Sequence, residues 1–286
     1  MTPAVAADAG DWFLWTLAFC LGASLGSFLN VCIYRIPADE SVVRPSSRCP
    51  ACHTPIAWYD NVPIVSWMAL GGRCRRCHGP IAARYPFVEA ATGALALLAL
   101  WRLGATPAAL VAFAFTAALL LITFIDFDHL FIPDEVSLPG ILLGLALSAA
   151  PGGIGLANAA LGAALGGGLL WLVAWSYERT TGSEGMGLGD VKLLAMIGAF
   201  LGWQAIPVIL VVASIAGSLA GVLVIFGSRG RRHLARVRRQ LGARALPTFV
   251  RRAARRTAIP FGPFLALGAM VALYVPQLSL PLFLGA

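Results

Sequence analysis

The sequence predicts an all-α polytopic membrane protein with about eight transmembrane helices. Hydrophobic residues make up 59% of the 286-residue chain, charged residues make up 12%, and the mean hydropathy is +0.81. A soluble globular protein carries about 25% charged residues. This chain has too few polar residues to cover a water-soluble body, which excludes a soluble enzyme, a disordered chain and a secreted disulfide scaffold. The segment before the first apolar run lacks a basic start and holds Asp8 and Asp11, so no cleavable signal peptide is expected.

Eight apolar runs are candidate membrane helices, each of which needs about 20 residues to span the bilayer. The five longest cover residues 12–33, 107–125, 156–175, 205–226 and 260–283. The three shorter runs cover residues 86–101, 136–150 and 193–203. Residues 193–226 carry no charge and are too long for one upright span, so Gly202, Gln204 and Pro207 predict a turn between two helices.

All the positive charges except Arg102 fall in alternate connections between the spans, which predicts the orientation. Seven of the 21 Lys and Arg residues lie within residues 35–84 and eleven within 229–256. With eight spans these segments share one side, which the positive-inside rule assigns to the cytoplasm. The net charge of +8 therefore indicates topology and contact with membrane lipid, and no nucleic-acid role is expected. Apolar residues at near-helical spacing in the basic loop 228–258 predict an interfacial amphipathic helix.

Four of the six cysteines form two CxxC pairs, Cys49 with Cys52 and Cys74 with Cys77. Two such pairs are typical of a structural zinc site with four thiolate ligands. Residues 36–85 hold few large aliphatic side chains, so this segment needs a bound metal or a covalent cross-link to fold. Two disulfides are disfavoured in a reducing cytoplasm, and a redox dithiol is the third interpretation. The sequence therefore predicts a small zinc-binding cytoplasmic domain inserted after the first helix.

Two histidines and two further cysteines have simpler expected roles. His53 and His78 directly follow the CxxC pairs; they are alternative ligands, although such residues are more often exposed in loops. Cys20 and Cys32 lie in the first apolar run, where we expect them to be small buried hydrophobic residues.

Acidic residues flank two of the predicted spans on the same side of the membrane. Asp126 directly follows the span that ends at residue 125, and Asp190 precedes the span that begins at residue 193. Ionisable groups at membrane depth are costly and therefore indicate function. If the two helices adjoin, the carboxylates can share a proton, so that one acts as an acid and the other as a base. That arrangement suits hydrolysis of a peptide bond.

The residues alone leave two other interpretations of this pair open. The aspartates fit a proton relay in a transporter, and they also fit structural charges at the membrane boundary. Gly185, Gly187 and Gly189 precede Asp190 and let backbone or substrate approach closely. A nucleotide-binding glycine loop is excluded because such a loop follows a strand, whereas an apolar span precedes this one.

Six motifs between residues 26 and 268 resemble, in the same order, those of one family. They are Gly26-Ser-Phe-Leu-Asn-Val-Cys-Ile-Tyr-Arg-Ile-Pro37, the two CxxC pairs, Tyr85-Pro-Phe-Val-Glu89, the segment from Asp126 to Asp134, Gly187-Leu-Gly189-Asp190 and Ile259-Pro-Phe-Gly-Pro-Phe-Leu-Ala-Leu-Gly268. Through them the chain resembles the bifunctional type IV prepilin peptidases, membrane aspartyl proteases with a GxGD motif. Each motif alone is weak, but six in family order argue against a chance match.

The resemblance implies two catalytic aspartates, Asp126 and Asp190, with Asp128 as the second candidate for the first position. Gly187, Gly189 and Lys192 are the expected supporting residues. Lys192 would balance charge or hold the substrate, and it is equally explained as a topology signal. Asp134 is expected to cap or orient the helix after Pro133.

The resemblance also implies substrates, cofactors and location. Prepilins and pseudopilins of type IV pilus and type II secretion systems are the expected substrates, with their basic leader cut at the cytoplasmic face of the bacterial inner membrane. The new amino terminus is then methylated from S-adenosylmethionine, and Zn²⁺ is structural. No glycine-rich cofactor loop is visible, so the sequence does not assign residues that bind S-adenosylmethionine.

The predicted organisation has three parts. Residues 1–35 form the first transmembrane helix, residues 36–85 the zinc-binding domain, and residues 86–286 the protease core with its basic loop at 228–258. Two other function classes stay open. A proton-coupled transporter would show inverted repeats, and none is visible; a zinc-stabilised, non-enzymatic scaffold of a secretion complex would tolerate replacement of Asp190.

Overall fold

The computed structural model describes residues 11–182, 187–226 and 260–275. Within these ranges the chain is helical, with short 3-10 turns and no β-strand. The α-helices, numbered in chain order, are α1 (Trp12–Arg35), α2 (Val65–Ala69), α3 (Arg84–Leu103), α4 (Pro107–His129), α5 (Asp134–Ser148), α6 (Leu156–Thr181), α7 (Leu188–Leu201), α8 (Ile206–Phe226) and α9 (Gly262–Tyr274). The predicted basic loop at 228–258 lies outside the described residues.

A helix begins near each of the eight predicted spans, but these helices differ in length. Five are long and apolar enough to cross a membrane: Trp12–Ala38, Arg84–Leu103, Pro107–His129, Leu156–Thr181 and Trp203–Leu223. In the described part, α5, α7 and α9 have 15, 14 and 13 residues. At 1.5 Å per residue each covers roughly 20–23 Å, less than the hydrocarbon thickness of about 30 Å. The chain is thus a multi-pass membrane protein, and the count of eight crossings stays a prediction.

The chain divides into two compact units, Met1–Ile125 and Asp126–Ala286. In the first unit, small residues let α1 and α3 pack closely. A Cβ on Gly22 would lie 2.8 Å from Ala96 Cβ, and one on Gly26 would lie 2.7 Å from Glu89 Cα. Close approach at glycine is a common way to pack membrane helices. The contact places Glu89 against the middle of α1.

The two cysteines of α1 have different environments. Cys32 is buried, as predicted, whereas Cys20 is exposed. Cys20 thus contradicts our expectation of burial. Apolar helix faces in this chain are free to meet lipid, so a small apolar side chain on α1 needs no protein cover.

In the second unit, the short helix α7 packs against α5 and α6. Leu193, Leu194 and Ile197 are fully buried. Gly162 on α6 and Gly198 on α7 bring the two backbones into direct contact. Protein rather than lipid therefore covers much of α7, which fixes the position of the acidic residue in its first turn.

The predicted turn after α7 is confirmed. The helix ends at Leu201, and Gly202 has φ +79°, a conformation that glycine adopts without strain. A 3-10 turn (Trp203–Ala205) follows before α8 begins at Ile206.

Candidate functional site

The four cysteines of the two CxxC pairs form one cluster in the first unit. Their Sγ atoms all lie within 4.8 Å of one another, and those of Cys49 and Cys77 are 3.7 Å apart. Four thiolates around a tetrahedral Zn²⁺ at about 2.3 Å would be about 3.8 Å from one another. All six cysteines are free, and 3.7 Å is far longer than the S–S bond of about 2.05 Å. The donor set and its geometry therefore fit zinc and do not support the disulfide alternative.

Each CxxC pair sits in the same tight turn. The N–H of Cys49 donates to the carbonyl of Thr54 at 3.0 Å, and the N–H of Cys74 donates to that of Gly79 at 2.9 Å. In both turns the histidine after the second cysteine has positive φ, +55° at His53 and +56° at His78. The sequence carries the signal for this repeat, since Arg-Cys-x-x-Cys-His-x-Pro-Ile-Ala occurs at 48–57 and again at 73–82.

The two histidines are not among the clustered ligands. His53 and His78 are exposed and close the turns with their backbones. The cysteine thiols differ in acidity. Hydrogen bonds with the side chain and backbone of Thr54 lower the pKa of Cys52 to about 6, which favours its thiolate, whereas burial and the neighbouring cysteines raise the pKa of Cys77 to about 11.

Asp126 lies near the end of α4 and is a buried carboxylate of the second unit. Its side chain is 5% exposed, and its Oδ2 accepts a hydrogen bond from the backbone N–H of Gly262 at 3.0 Å. Gly262 is the first residue of α9, where N–H groups lack partners within the helix and the helix dipole is positive. A Cβ at position 262 would lie 2.6 Å from the same oxygen, so the bond requires glycine there.

The chain turns sharply just after this carboxylate. Leu130 has φ +54°, and its N–H donates to the carbonyl of Asp126 at 3.0 Å. Glycine usually occupies such a position at the end of a helix. The strained leucine ends α4 and directs residues 131–133 back towards the aspartate.

Asp190 lies in the first turn of α7, ahead of its apolar stretch and outside the candidate spans. It is half-buried, and its N–H donates to the carbonyl of Gly187 at 3.2 Å. Burial, and secondly the negative charge of Asp126, raise the pKa of Asp190 to about 7. The two carboxylates are therefore close enough to interact, and Asp190 gains and loses its proton near neutral pH.

Ile132 packs against the two glycines beside the aspartates. It is 5% exposed; a Cβ on Gly189 would lie 2.9 Å from its Cβ, and a Cβ on Gly262 would lie 3.3 Å from its Cδ1. The sequence analysis missed Ile132 and did not single out Gly262 within the last motif. Their role appears only when the ends of α4, α7 and α9 meet, because no local pattern reports contact between residues so far apart.

The other predicted site residues lie at the edge of this arrangement. Asp128 is exposed on the last turn of α4. Asp134 does not cap α5, because no side-chain bond is made there; both of its carboxylate oxygens bind Lys192 Nζ, at 2.7 and 2.8 Å. A Cβ on Gly187 would meet little but the N of Gly189 at 3.9 Å, so packing does not require glycine there.

Comparison with known proteins finds two family matches, one in each half of the chain. Residues 20–103 match the bacterial peptidase A24 N-terminal domain, and residues 113–222 match the type IV leader peptidase family. A prepilin leader peptidase/N-methyltransferase of Aeromonas hydrophila is 36% identical over 92% of this chain and 91% of that protein. The chain belongs to the type IV leader peptidase family. The predicted family and the enzyme class are thereby confirmed.

Other relatives in the family carry the same name. One from Pseudomonas putida is 37% identical over 90% of this chain and 89% of that protein. One from Myxococcus xanthus is 42% identical over 73% of this chain and 63% of that protein. No solved structure matches the chain. The leader peptidase match contains both Asp126 and Asp190, and the N-terminal match contains the four-cysteine cluster.

Proposed function

We propose that this enzyme removes the leader peptide of type IV prepilins and pseudopilins and then methylates the new amino terminus. The names of relatives that are 36% and 37% identical over at least 90% of the chain support both activities and the substrate class. The positive-inside rule supports cleavage at the cytoplasmic face of the inner membrane, because the basic segments share one predicted side.

The observation that carries the proposed chemistry is the interaction between Asp126 and Asp190. Asp126 accepts an N–H at the positive end of α9, which orients the carboxylate and partly offsets the cost of burying its charge. Asp190 has a pKa of about 7 and so carries a proton on a large fraction of molecules at neutral pH. One ionised and one protonated carboxyl group form the acid and base pair that peptide hydrolysis needs.

In the proposed reaction Asp126 is the base and Asp190 is the acid. Asp126 takes a proton from water as the water oxygen attacks the carbonyl carbon of the scissile bond. Asp190 donates its proton to the carbonyl oxygen. The C–N bond of the tetrahedral intermediate then breaks, and the leaving amine takes the proton held by Asp126. Asp190 recovers its proton from a hydroxyl group of the intermediate, which becomes the new carbonyl.

The supporting residues position this pair. Gly189 lets the first turn of α7 approach Ile132, and the Lys192–Asp134 ion pair links α7 to α5. Among the described residues, only Gly189 N lies within 4 Å of a Cβ built at Gly187, which leaves room for an extended substrate backbone beside Asp190. The exposed Asp128 has no proposed part in the chemistry.

Two cofactors belong to the proposal. Zn²⁺ would be held by Cys49, Cys52, Cys74 and Cys77, and its role is structural because four thiolates leave no open position. S-adenosylmethionine would supply the methyl group for the new amino terminus.

Mass spectrometry of a prepilin incubated with the purified enzyme tests both activities. With S-adenosylmethionine present, the product should lose the leader and gain one methyl mass; without it, the product should lose only the leader. Loss of the leader without methylation would remove the methyltransferase half of the proposal. An unchanged cognate substrate would contradict the whole proposal and favour a transporter or a scaffold.

A further inference from the structure

A cavity lies beside the second half of α1, and all of its lining residues belong to the first unit. Its volume is about 310 Å³. Small-molecule sites typically measure about 300–1,000 Å³ and combine apolar walls with a few polar groups. The lining has that character, with Ser24, Ser27, Phe28 and Arg35 from α1 opposite Val43 and Asn61 from the segment between α1 and α3.

Arg35 provides a positive charge in the cavity wall. The residue is 9% exposed, and its guanidinium donates from Nη1 to the carbonyl of Ser41 at 2.9 Å and from Nη2 to that of Pro45 at 2.7 Å. These bonds hold the loop that forms the opposite wall. A guanidinium carries five N–H groups, so further donors remain after these two, and carboxylates are their preferred partners.

Glu89 places a buried carboxyl group behind another part of the wall. It is 8% exposed; its Oε2 accepts the N–H of Ile64 at 2.7 Å, and the Ser27 hydroxyl also interacts with it. The contacts that the structure describes for Glu89 include no cation. A buried carboxylate without a positive partner is unfavourable, so a cation in the adjoining cavity would stabilise it.

The backbone next to this carboxylate is strained. Ile64 has φ +63°, which is disfavoured for a β-branched residue. Strained residues persist only where the surroundings hold them, and they cluster at ligand sites. Here the Glu89 carboxylate holds the N–H of Ile64 and so fixes the neighbouring cavity wall at Asn61 and Pro63.

We infer that this cavity binds S-adenosylmethionine, an inference that rests on the proposed methyl transfer. The methyl donor has one carboxylate, two positive charges on its ammonium and sulfonium groups, ribose hydroxyls and a flat adenine ring. Arg35 complements the carboxylate, Glu89 the positive charge, and the serines and Asn61 the hydroxyls. Phe28 and Val43 provide apolar surface for the ring.

Filling the cavity tests this inference. The full-length enzyme in detergent is titrated with S-adenosylhomocysteine by calorimetry, with zinc per chain as the check of folding. Ser24→Trp should weaken binding at least about tenfold because the indole occupies the cavity. Leu21→Trp, on the same helix at a 61% exposed position outside the cavity lining, is the matched control and should bind as wild type. Wild-type affinity in Ser24→Trp would overturn the assignment.

A second variant separates charge recognition from packing. Glu89→Gln keeps the shape of the side chain and should weaken binding of the sulfonium compound S-adenosylmethionine about fivefold more than binding of the neutral-sulfur S-adenosylhomocysteine. An equal change for both compounds would overturn the role of Glu89. If wild type cleaves prepilin but neither binds these compounds nor methylates, the proposed methyl transfer fails as well. If wild type binds and methylates while both variants bind normally, the cavity assignment fails alone.

Discussion

The carboxylate of Asp126 accepts a hydrogen bond from the backbone N–H of Gly262, a residue 136 positions later in the chain. The bond joins the end of α4 to the start of α9 and sets the aspartate in the positive end of a helix dipole. It gives Asp126 a fixed orientation and partly offsets the cost of burying its charge. The proposed peptidase site therefore depends on a glycine outside both aspartate motifs.

Replacing that glycine should impair cleavage. Gly262→Ala puts a Cβ 2.6 Å from Asp126 Oδ2, so the carboxylate must move. A displacement of this kind should slow leader cleavage about 100-fold, measured as single-turnover loss of the leader on gels. Gly168→Ala on α6 is the control, since a Cβ there meets nothing within 4 Å. Full cleavage by Gly262→Ala would mean that the bond to Asp126 has no role in the reaction.

The rate of cleavage should depend on pH through Asp190. Burial and the charge of Asp126 raise its pKa to about 7, and the proposed general acid must hold its proton. The protonated fraction falls as pH rises through this value, so the single-turnover rate should fall about tenfold for each pH unit above it. Stopped time courses across neutral pH measure this decline. A rate that rises with pH through this range would reverse the proposed roles of the two aspartates.

Asp128 provides a test of which carboxylate acts. Because it is exposed on the last turn of α4, Asp128→Asn should change the cleavage rate by less than about threefold. The same prepilin assay measures it, with the pH profile recorded as well. A loss of cleavage rate as large as that of an Asp126 variant would make Asp128 the catalytic aspartate instead.

Loss of one cysteine ligand should release the metal. Cys49→Ser removes one of four thiolates and should lower zinc from about one ion per chain, measured by atomic emission on the purified protein. Residues 36–83 should then become more sensitive to protease, since little core remains to hold them. Cys20→Ser, an exposed position on α1, is the control and should keep its zinc. Unchanged zinc in Cys49→Ser would contradict the four-thiolate site.

The sequence was most informative where a local pattern has one physical cause. The paired CxxC motifs predicted a cluster of four cysteines, and the position of two aspartates beside apolar runs indicated the candidate catalytic pair. Helix α7 was harder to interpret from the sequence. It is 14 residues long and is covered by α5 and α6, so its apolar residues do not by themselves indicate a bilayer crossing. The capping role expected of Asp134 was wrong, whereas an orienting role fits its ion pair with Lys192, which lies 58 residues away on another helix.

The cavity beside α1 could not be predicted from the sequence either. Ser27 and Arg35 are part of a recognised motif, but nothing local indicates that they share a wall with Asn61 or that Glu89 holds the strained Ile64. Such contacts depend on the packing of α1 against α3. They are set by the close approach at Gly22 and Gly26, which no periodicity reveals.

The most direct test of the central claim is the mass of a prepilin after incubation with wild type, Asp126→Asn and Asp190→Asn. Wild type should remove the leader, and each variant should be slower by about 10²- to 10⁴-fold while retaining its zinc and its ability to methylate a pre-cut substrate. Leader removal at the wild-type rate by either variant would contradict the account that Asp126 and Asp190 together cut the peptide bond.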